Sequence, residues 1–395
     1  MKKVLLILLA APQLLIAQTT LIPDANFEQK LVALGIDNVV NGSVLTASAA
    51  AVTDLDVSAS NISNLTGIEA FTSLTYLNCG DNHLSNLNVT PILTLQELEC
   101  YGNTLTTLNL TANTSLHYLD AYSNQISSLD VTHNPGLQYL GLDENNLTSL
   151  NVTLNTNLQE LHVGSNLLTS IDISHNAALT QLVAYGNNLS SINISANPAL
   201  EVLKLGLNQI TSIDLTHAVN LKELRINNNL LTTLSIAQSP LLTQINCQGN
   251  RLTSLDLRNG NNINFILTNN GAQFNQGLSC ISVDNPAYSS TNWGINFHET
   301  ATYSANCLLS TDSPLLQMIA IYPNPSNGKI FINTPDLIKI DTITVSDLNG
   351  RIIKQVKPNG ISEQTELDLT GVNQGVYFAS IESDKGKLNT KIILK

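Results

Sequence analysis

At 395 residues with a formal net charge of −13, the chain repels phosphate backbones and anionic lipid surfaces, and no basic cluster offsets that repulsion. A nucleic-acid partner is excluded on this ground. Only 12% of residues are charged while 43% are hydrophobic, which suits a globular protein rather than a charge-rich disordered one.

Residues 1–17, MKKVLLILLAAPQLLIA, place two lysines before an apolar run too short to span a bilayer comfortably and ending at a small residue. They read as a secretory signal peptide cleaved after Ala17. No cysteine follows the run, which argues against a lipoprotein signal, and no later segment is apolar enough for a membrane span. Residues 18–51 are expected to form an N-terminal cap. Within it, IPDANFEQKLVALGID (22–37) offers Asp24 as a helix N-cap, with Phe27, Leu31 and Leu34 at helical spacing.

Residues 52–270 repeat. Leu74, Leu95, Leu116, Leu137, Leu158, Leu179, Leu200, Leu221 and Leu242 open nine units of 21 residues, and the ninth position of every unit is asparagine, from Asn82 to Asn250. A unit one residue longer, VTDLDVSASNISNLTGIEAFTS (52–73), precedes them. A fixed period in this range predicts a solenoid, whose coils bury their apolar residues only against one another. The spacing L-x-x-L-x-L-x-x-N-x-L resembles the leucine-rich repeat, which implies a short strand around the second and third leucines and an asparagine bonded to backbone groups inside the coil. The coil is short for that family, so its outer side should hold extended or 3₁₀ segments around L-x-x-L-[DN]-[VIL]. The flanking stretches 22–37 and 271–310 resemble the caps of secreted bacteroidotal leucine-rich-repeat proteins.

Residues 311–318 read as a linker, and from 319 to 395 alternating strand patterns replace the leucines. IYPNPSNGKIFI (321–332), ITVSDLNGRII (343–353), LDLTGVNQGVYFASI (367–381) and KIILK (391–395) together resemble the C-terminal sorting domain of type IX secretion cargo. The resemblance implies a small immunoglobulin-like β-sandwich read by the type IX machinery. It also implies delivery through the periplasm to the outer cell surface or the medium, with the cargo released or attached to lipopolysaccharide. The fold class expected is thus mainly β: a solenoid with a parallel sheet on its concave face, then a sandwich.

Catalytic chemistry is not apparent. There is no phosphate-binding loop and no nucleophile elbow, and HETAT (298–302) lacks the second histidine of a zinc-protease motif. His133, His175 and His217 recur 42 residues apart on the outer turn, which reads as repeat duplication rather than a metal site. No metal or other cofactor is expected. Cys79, Cys100 and Cys247 fall on inward positions as small core residues, whereas Cys280 and Cys307 lie outside the repeat in an exported chain and are expected to be disulfide-bonded. Asn-x-Ser/Thr triplets at Asn88, Asn109 and Asn151 follow from the repeat consensus itself.

The third, fifth and seventh positions of each unit project from the strand face or its edge. They gather Tyr76, Tyr101, Tyr118, Tyr122, Tyr139 and Tyr185 with Glu97, Glu99, Asp120, Asp143 and Glu160. No Lys or Arg occurs between Leu31 and Leu203, whereas Lys204 and Arg225 follow on the same face. A ligand-binding face for a protein or glycan, aromatic and acidic at one end and basic at the other, is the leading expectation. The alternatives are a polysaccharide-active module using Glu97 and Glu99 as acid and base, and a ligand-free spacer.

Overall fold

The computed structural model describes residues 18–268, 271–307, 319–334, 339–348, 350–358, 364–383 and 386–395, so the expected signal peptide and linker lie outside it. Two compact units divide the chain, residues 1–305 and 306–395.

In the first unit each coil starts with an extended triplet whose middle residue points inward. Leu77, Leu98, Leu119, Leu140, Leu161, Leu182, Leu203, Leu224 and Ile245 are fully buried, and their neighbours on either side face outward as the pleat requires. Among the described residues, ten such triplets, from Asp54–Asp56 to Gln244–Asn246, pair in parallel and in chain order as one sheet. Tyr118 pairs with Tyr139 and Tyr139 with Glu160, so residues 21 apart stand side by side. The fold is the expected leucine-rich-repeat solenoid.

The ninth-position asparagine turns the chain out of the strand while satisfying the backbone it buries. Asn145 Oδ1 accepts from the N–H of Ile126 at 2.9 Å, and its Nδ2 donates to the carbonyls of Ala121, Leu142 and Asp143 at 3.0–3.2 Å. Asn103, Asn166, Asn208 and Asn250 repeat the pattern. The residue just before it is left-handed in every unit, with φ between +51° and +63°, whether it is Gly102, Gly186 or Gly249, or instead Asp81, Ser123, Glu144, Ser165, Leu207 or Asn228.

Sequence reading missed a second asparagine ladder. Asn113, Asn134, Asn155, Asn176 and Asn197 fill the nineteenth position, buried, and each donates to two carbonyls on the preceding coil's side, as Asn155 does to Val131 and Asn134 at 2.9 and 2.8 Å. Their Oδ1 atoms are buried and accept no hydrogen bond among the described residues.

The coil's other side is extended, with 3₁₀ turns at Ile68–Ala70 and Asn262–Asn264. Toward its C-terminal end this side becomes a second parallel sheet, Thr233–Ser235, Ser254–Asp256, Cys280–Ser282 and Thr302–Ser304. Stacking thus runs on past residue 270. Asn275 repeats the ninth-position bonds, accepting from Leu252 N and donating to Cys247 O, both at 3.0 Å. Trp293 and Phe297, both buried, cover the coil interior at this end, with Trp293 stacked on Phe265 at 5.3 Å.

At the other end the helix Ala25–Ala33 inserts Phe27 and Leu31 into the core, while Leu34, expected on the same apolar face, is its C-cap and 47% exposed. One carboxylate oxygen of Asp24 caps the helix through Asn26 N and Phe27 N, and the other accepts from Ser63 N and Asn64 N, tying the helix to the first coil. Glu28 is buried because its Oε1 accepts from three successive backbone N–H groups, Asn41, Gly42 and Ser43, at 2.7–2.9 Å.

The second unit consists of two antiparallel sheets, one of Ala320–Tyr322, Lys329–Asn333 and Gln364–Asp368, the other of Ile352–Val356, Ile340–Ser346, Gly375–Ser383 and Gly386–Leu394. Ile330, Ile332, Ile343, Val345, Leu367, Ile381 and Ile392 form its core. The first and last motifs of the tail meet physically: Asn324 donates to Lys391 O at 2.7 Å and accepts from Ile393 N at 2.9 Å. Tyr377 donates to Asn373 O four residues upstream at 2.8 Å, the local bond of a tyrosine corner.

Two outcomes follow for the rod. Asn145→Ala should cost about 1–3 kcal/mol by leaving buried backbone groups unpaired, whereas Asn146→Ala, at an exposed position, should shift the melting point little. Equal shifts would refute the register. Leu207→Gly should raise stability by about 1 kcal/mol in urea titrations, because glycine takes the left-handed conformation without the Cβ penalty and Leu207 is 55% exposed.

Candidate binding face

The outward residues of the ten-stranded sheet form continuous columns, because the register sets third, fifth and seventh positions beside their equivalents in the next coil. Tyr118 and Tyr139 stack with centroids 4.4 Å apart and planes 9° from parallel, and Tyr101 and Tyr122 stack at 5.0 Å and 8°. Tyr139 also meets the His162 ring at 5.3 Å. Close approach is permitted by glycines in the same columns. A methyl group on Gly80 would stand 2.5 Å from the Tyr101 ring, and one on Gly141 would stand 2.7 Å from Asp120 Oδ1 and 3.0 Å from Tyr139 Oη. Asp120 and Tyr139 therefore converge over Gly141.

The acids differ in how well they are satisfied. Glu99 accepts from Tyr76 Oη at 3.2 Å and Asn78 Nδ2 at 3.0 Å, Glu97 faces His117 at 3.8 Å, and Glu160 faces His162 at 3.6 Å. Asp143 accepts from Gly164 N and lies 3.8 Å from His162 Nδ1. Among the described residues, Asp120 accepts only from Tyr122 N, at a long 3.4 Å. Burial pushes Asp120 up to about 6, with the Glu99 charge adding to the rise, and burial likewise pushes Asp143 up to about 6, with Asp120 and Glu144 adding. Burial lowers His162, against the opposing pull of Glu160, so that this ring favours its neutral form.

Lys204 and Arg225 do stand on this face, but they are not free cations. Both reach the carboxylate of Glu223, Lys204 at 3.9 Å and Arg225 through its Nε, while Lys222 pairs with Glu201 at 2.7 Å. The basic end is thus largely neutralised from within. Tyr185 lies over Gly164 at the edge of the same columns. His117, His162 and Glu223 were overlooked in reading the sequence, although His162 and Glu223 occupy the fifth and third positions that the register singles out.

The remaining candidates have structural settings. Cys79, Cys100 and Cys247 are fully buried free thiols, with burial pushing Cys79 and Cys247 up to about 12. Cys280 and Cys307 are disulfide-bonded. His298 is extended, not helical, and its Nδ1 accepts from Thr300 N and Ala301 N at 3.2 and 3.0 Å, which places the proton on Nε2. On the outer ridge, Asp130-Val-Thr-His133, Asp172-Ile-Ser-His175 and Asp214-Leu-Thr-His217 alternate with coils that carry Asn and no His, such as Asn109-Leu-Thr-Ala112 and Asn151-Val-Thr-Leu154. Asp130 lies 3.7 Å from His133, whereas His175 and His217 bond the hydroxyls of Ser174 and Thr216 at 3.0 and 3.1 Å. Among the described residues, no three His, Cys, Asp or Glu side chains are grouped to hold a metal ion.

This geometry is that of a leucine-rich-repeat solenoid. Residues 320–395 match the family described as a secretion system C-terminal sorting domain, which marks the chain for type IX export and then secretion or attachment at the outer surface. The structure is similar to the functional domain of InlJ from Listeria monocytogenes, which includes a cysteine ladder, at 21% identity and a TM-score of 0.56, covering 96% of this chain and 99% of that one. It is similar also to an internalin, InlF, from Listeria monocytogenes, at 20% identity and a TM-score of 0.54, covering 76% and 97%. At these identities the likeness is one of fold. No curated protein matches the chain. No helix among the described residues is long and apolar enough to cross a membrane.

The raised carboxyls carry a stability cost with a definite sign. A folded-state value near 6 against an ordinary 3.8 means that Asp120 favours folding fully below pH about 3.8, and that this contribution is lost as pH rises through 6. Asp120→Asn should therefore stabilise the protein at pH 7.5 by about 1 kcal/mol after allowance for solvent screening, and should leave stability near pH 3.5 almost unchanged. Chemical melts of both proteins at the two pH values check this.

Proposed function

We propose that the protein is a surface or secreted binding protein, adhesin-like in role, that engages a protein or glycan through the face of its ten-stranded sheet. The observation that carries this reading is the pair of stacked tyrosine couples, Tyr118–Tyr139 and Tyr101–Tyr122, lying in register on that face. Stacked rings offer rigid contact area at little entropic cost, and so suit either a sugar face or a protein ridge. The tail supports a location where such a partner is met.

Tyr118→Ala combined with Tyr139→Ala should weaken capture on glycan and protein arrays while lowering the melting temperature by only a few degrees, the stack being worth about 1 kcal/mol, whereas Asn109→Ala or Asn151→Ala, on the outer side, should leave capture intact. Loss of capture from the outer-side changes with none from the tyrosine pair would move the site elsewhere. Capture of nothing by the intact rod would favour a spacer.

A further inference from the structure

The negative charge of the chain belongs to the rod. Residues 18–318 contain 22 Asp and Glu against 6 Lys and Arg, whereas residues 319–395 contain 8 against 9. Between Leu31 and Leu203 there are 14 acids and not one Lys or Arg, and the first cations beyond that stretch on the sheet face are held by Glu223. The acids at its centre therefore meet histidines and polar groups but no Lys or Arg, and Asp120 and Asp143 among them are half-buried beside stacked aromatic rings.

From this we infer that the occupant of the sheet face is an arginine-bearing polypeptide segment, whose guanidinium groups lie against the Tyr118–Tyr139 couple and bond the carboxylates of Asp120 and Asp143. The inference rests on the sheet face being the binding surface, and goes beyond it in choosing the ligand. A guanidinium satisfies both features at once: its plane stacks on an aromatic ring and its forked N–H donors fit a carboxylate. Asp120, with one long hydrogen bond, has acceptor capacity to spare, and it converges with the Tyr139 hydroxyl over Gly141. A neutral sugar chain would use the rings and could donate hydroxyl bonds to the carboxylates, but it would leave their charge unopposed. A polypeptide also suits an exposed strand-lined face because its side chains recur at spacings comparable to those between sheet columns.

The test uses the whole secreted chain and a labelled peptide of alternating arginine and serine, with alternating lysine–serine and glutamate–serine peptides and a neutral soluble glucan as comparators. Asp120→Asn with Asp143→Asn should weaken arginine-peptide binding about tenfold or more. Both changes are sterically familiar to the fold, which already carries Asn78 and Asn246 at the fifth position and Asn227 at the seventh. Asp130→Asn with Asp172→Asn removes the same charge from the outer ridge, where Asn109 makes the equivalent turn with Thr111, and should change binding less than about twofold. The arginine peptide should bind more tightly than the lysine peptide, and the glutamate peptide should not bind.

Equal weakening by the two double variants, or equal binding of arginine and lysine peptides, overturns the inference, as does failure of the arginine peptide to bind. If the glucan then binds and the tyrosine double variant abolishes that binding, the sheet-face reading stands while the arginine inference falls. If only outer-side changes abolish glucan binding, both fall.

Discussion

Everything in the rod depends on the carboxamide of the ninth-position asparagine. A chain that turns back on itself every 21 residues must bury peptide groups at each corner, where no strand partner is available. One side chain with one acceptor and two donors meets that need, bonding as Asn145 does to four backbone groups drawn from two coils. Because those bonds reach the previous coil, they fix register as well as curvature at the corner. The cost is local: the preceding residue is forced left-handed, even where it is Leu207 or Glu144.

Register in turn makes the surface chemistry additive. A tyrosine at one third position stacks on the next, and a carboxylate at one fifth position feels the acids of neighbouring coils, as Asp120 feels Glu99. Half-buried carboxylates with few donors lower stability at neutral pH, which a surface built only for solubility would avoid by leaving them in water. Toward Arg225 the same columns instead pair their charges internally.

The solenoid and the strand face were legible in the sequence because both are written in a strict 21-residue spacing of inward leucines and one invariant asparagine. The tail was legible because four motifs recur in a fixed order. Other features were not. The nineteenth-position ladder is visible as five asparagines 21 residues apart, but it lies outside the repeat consensus and gives way to Ala218 and Ser239, so the consensus alone does not point to it. The second sheet opens with the triplets Thr-Leu-Ser and Ser-Leu-Asp, and similar triplets earlier in the rod, such as Ser128-Leu129-Asp130, do not form strands, so local propensity cannot place it. Neutralisation of Lys204 and Arg225 by Glu223 depends on where long side chains reach across adjacent strands, which spacing alone does not specify.

Between Asn109 and His217 the outer ridge carries Asn without His in one coil and Asp with His in the next, so over this stretch the pattern repeats every 42 residues, two coils rather than one. Such a cassette begins and ends in the same structural phase, so its duplication or loss by recombination leaves every remaining coil with a neighbour of the right shape. Each event would lengthen or shorten the sheet by two strand spacings, roughly 10 Å. The span between recognition groups on a protein of this kind is thus adjustable in discrete steps, by copy number instead of by substitution.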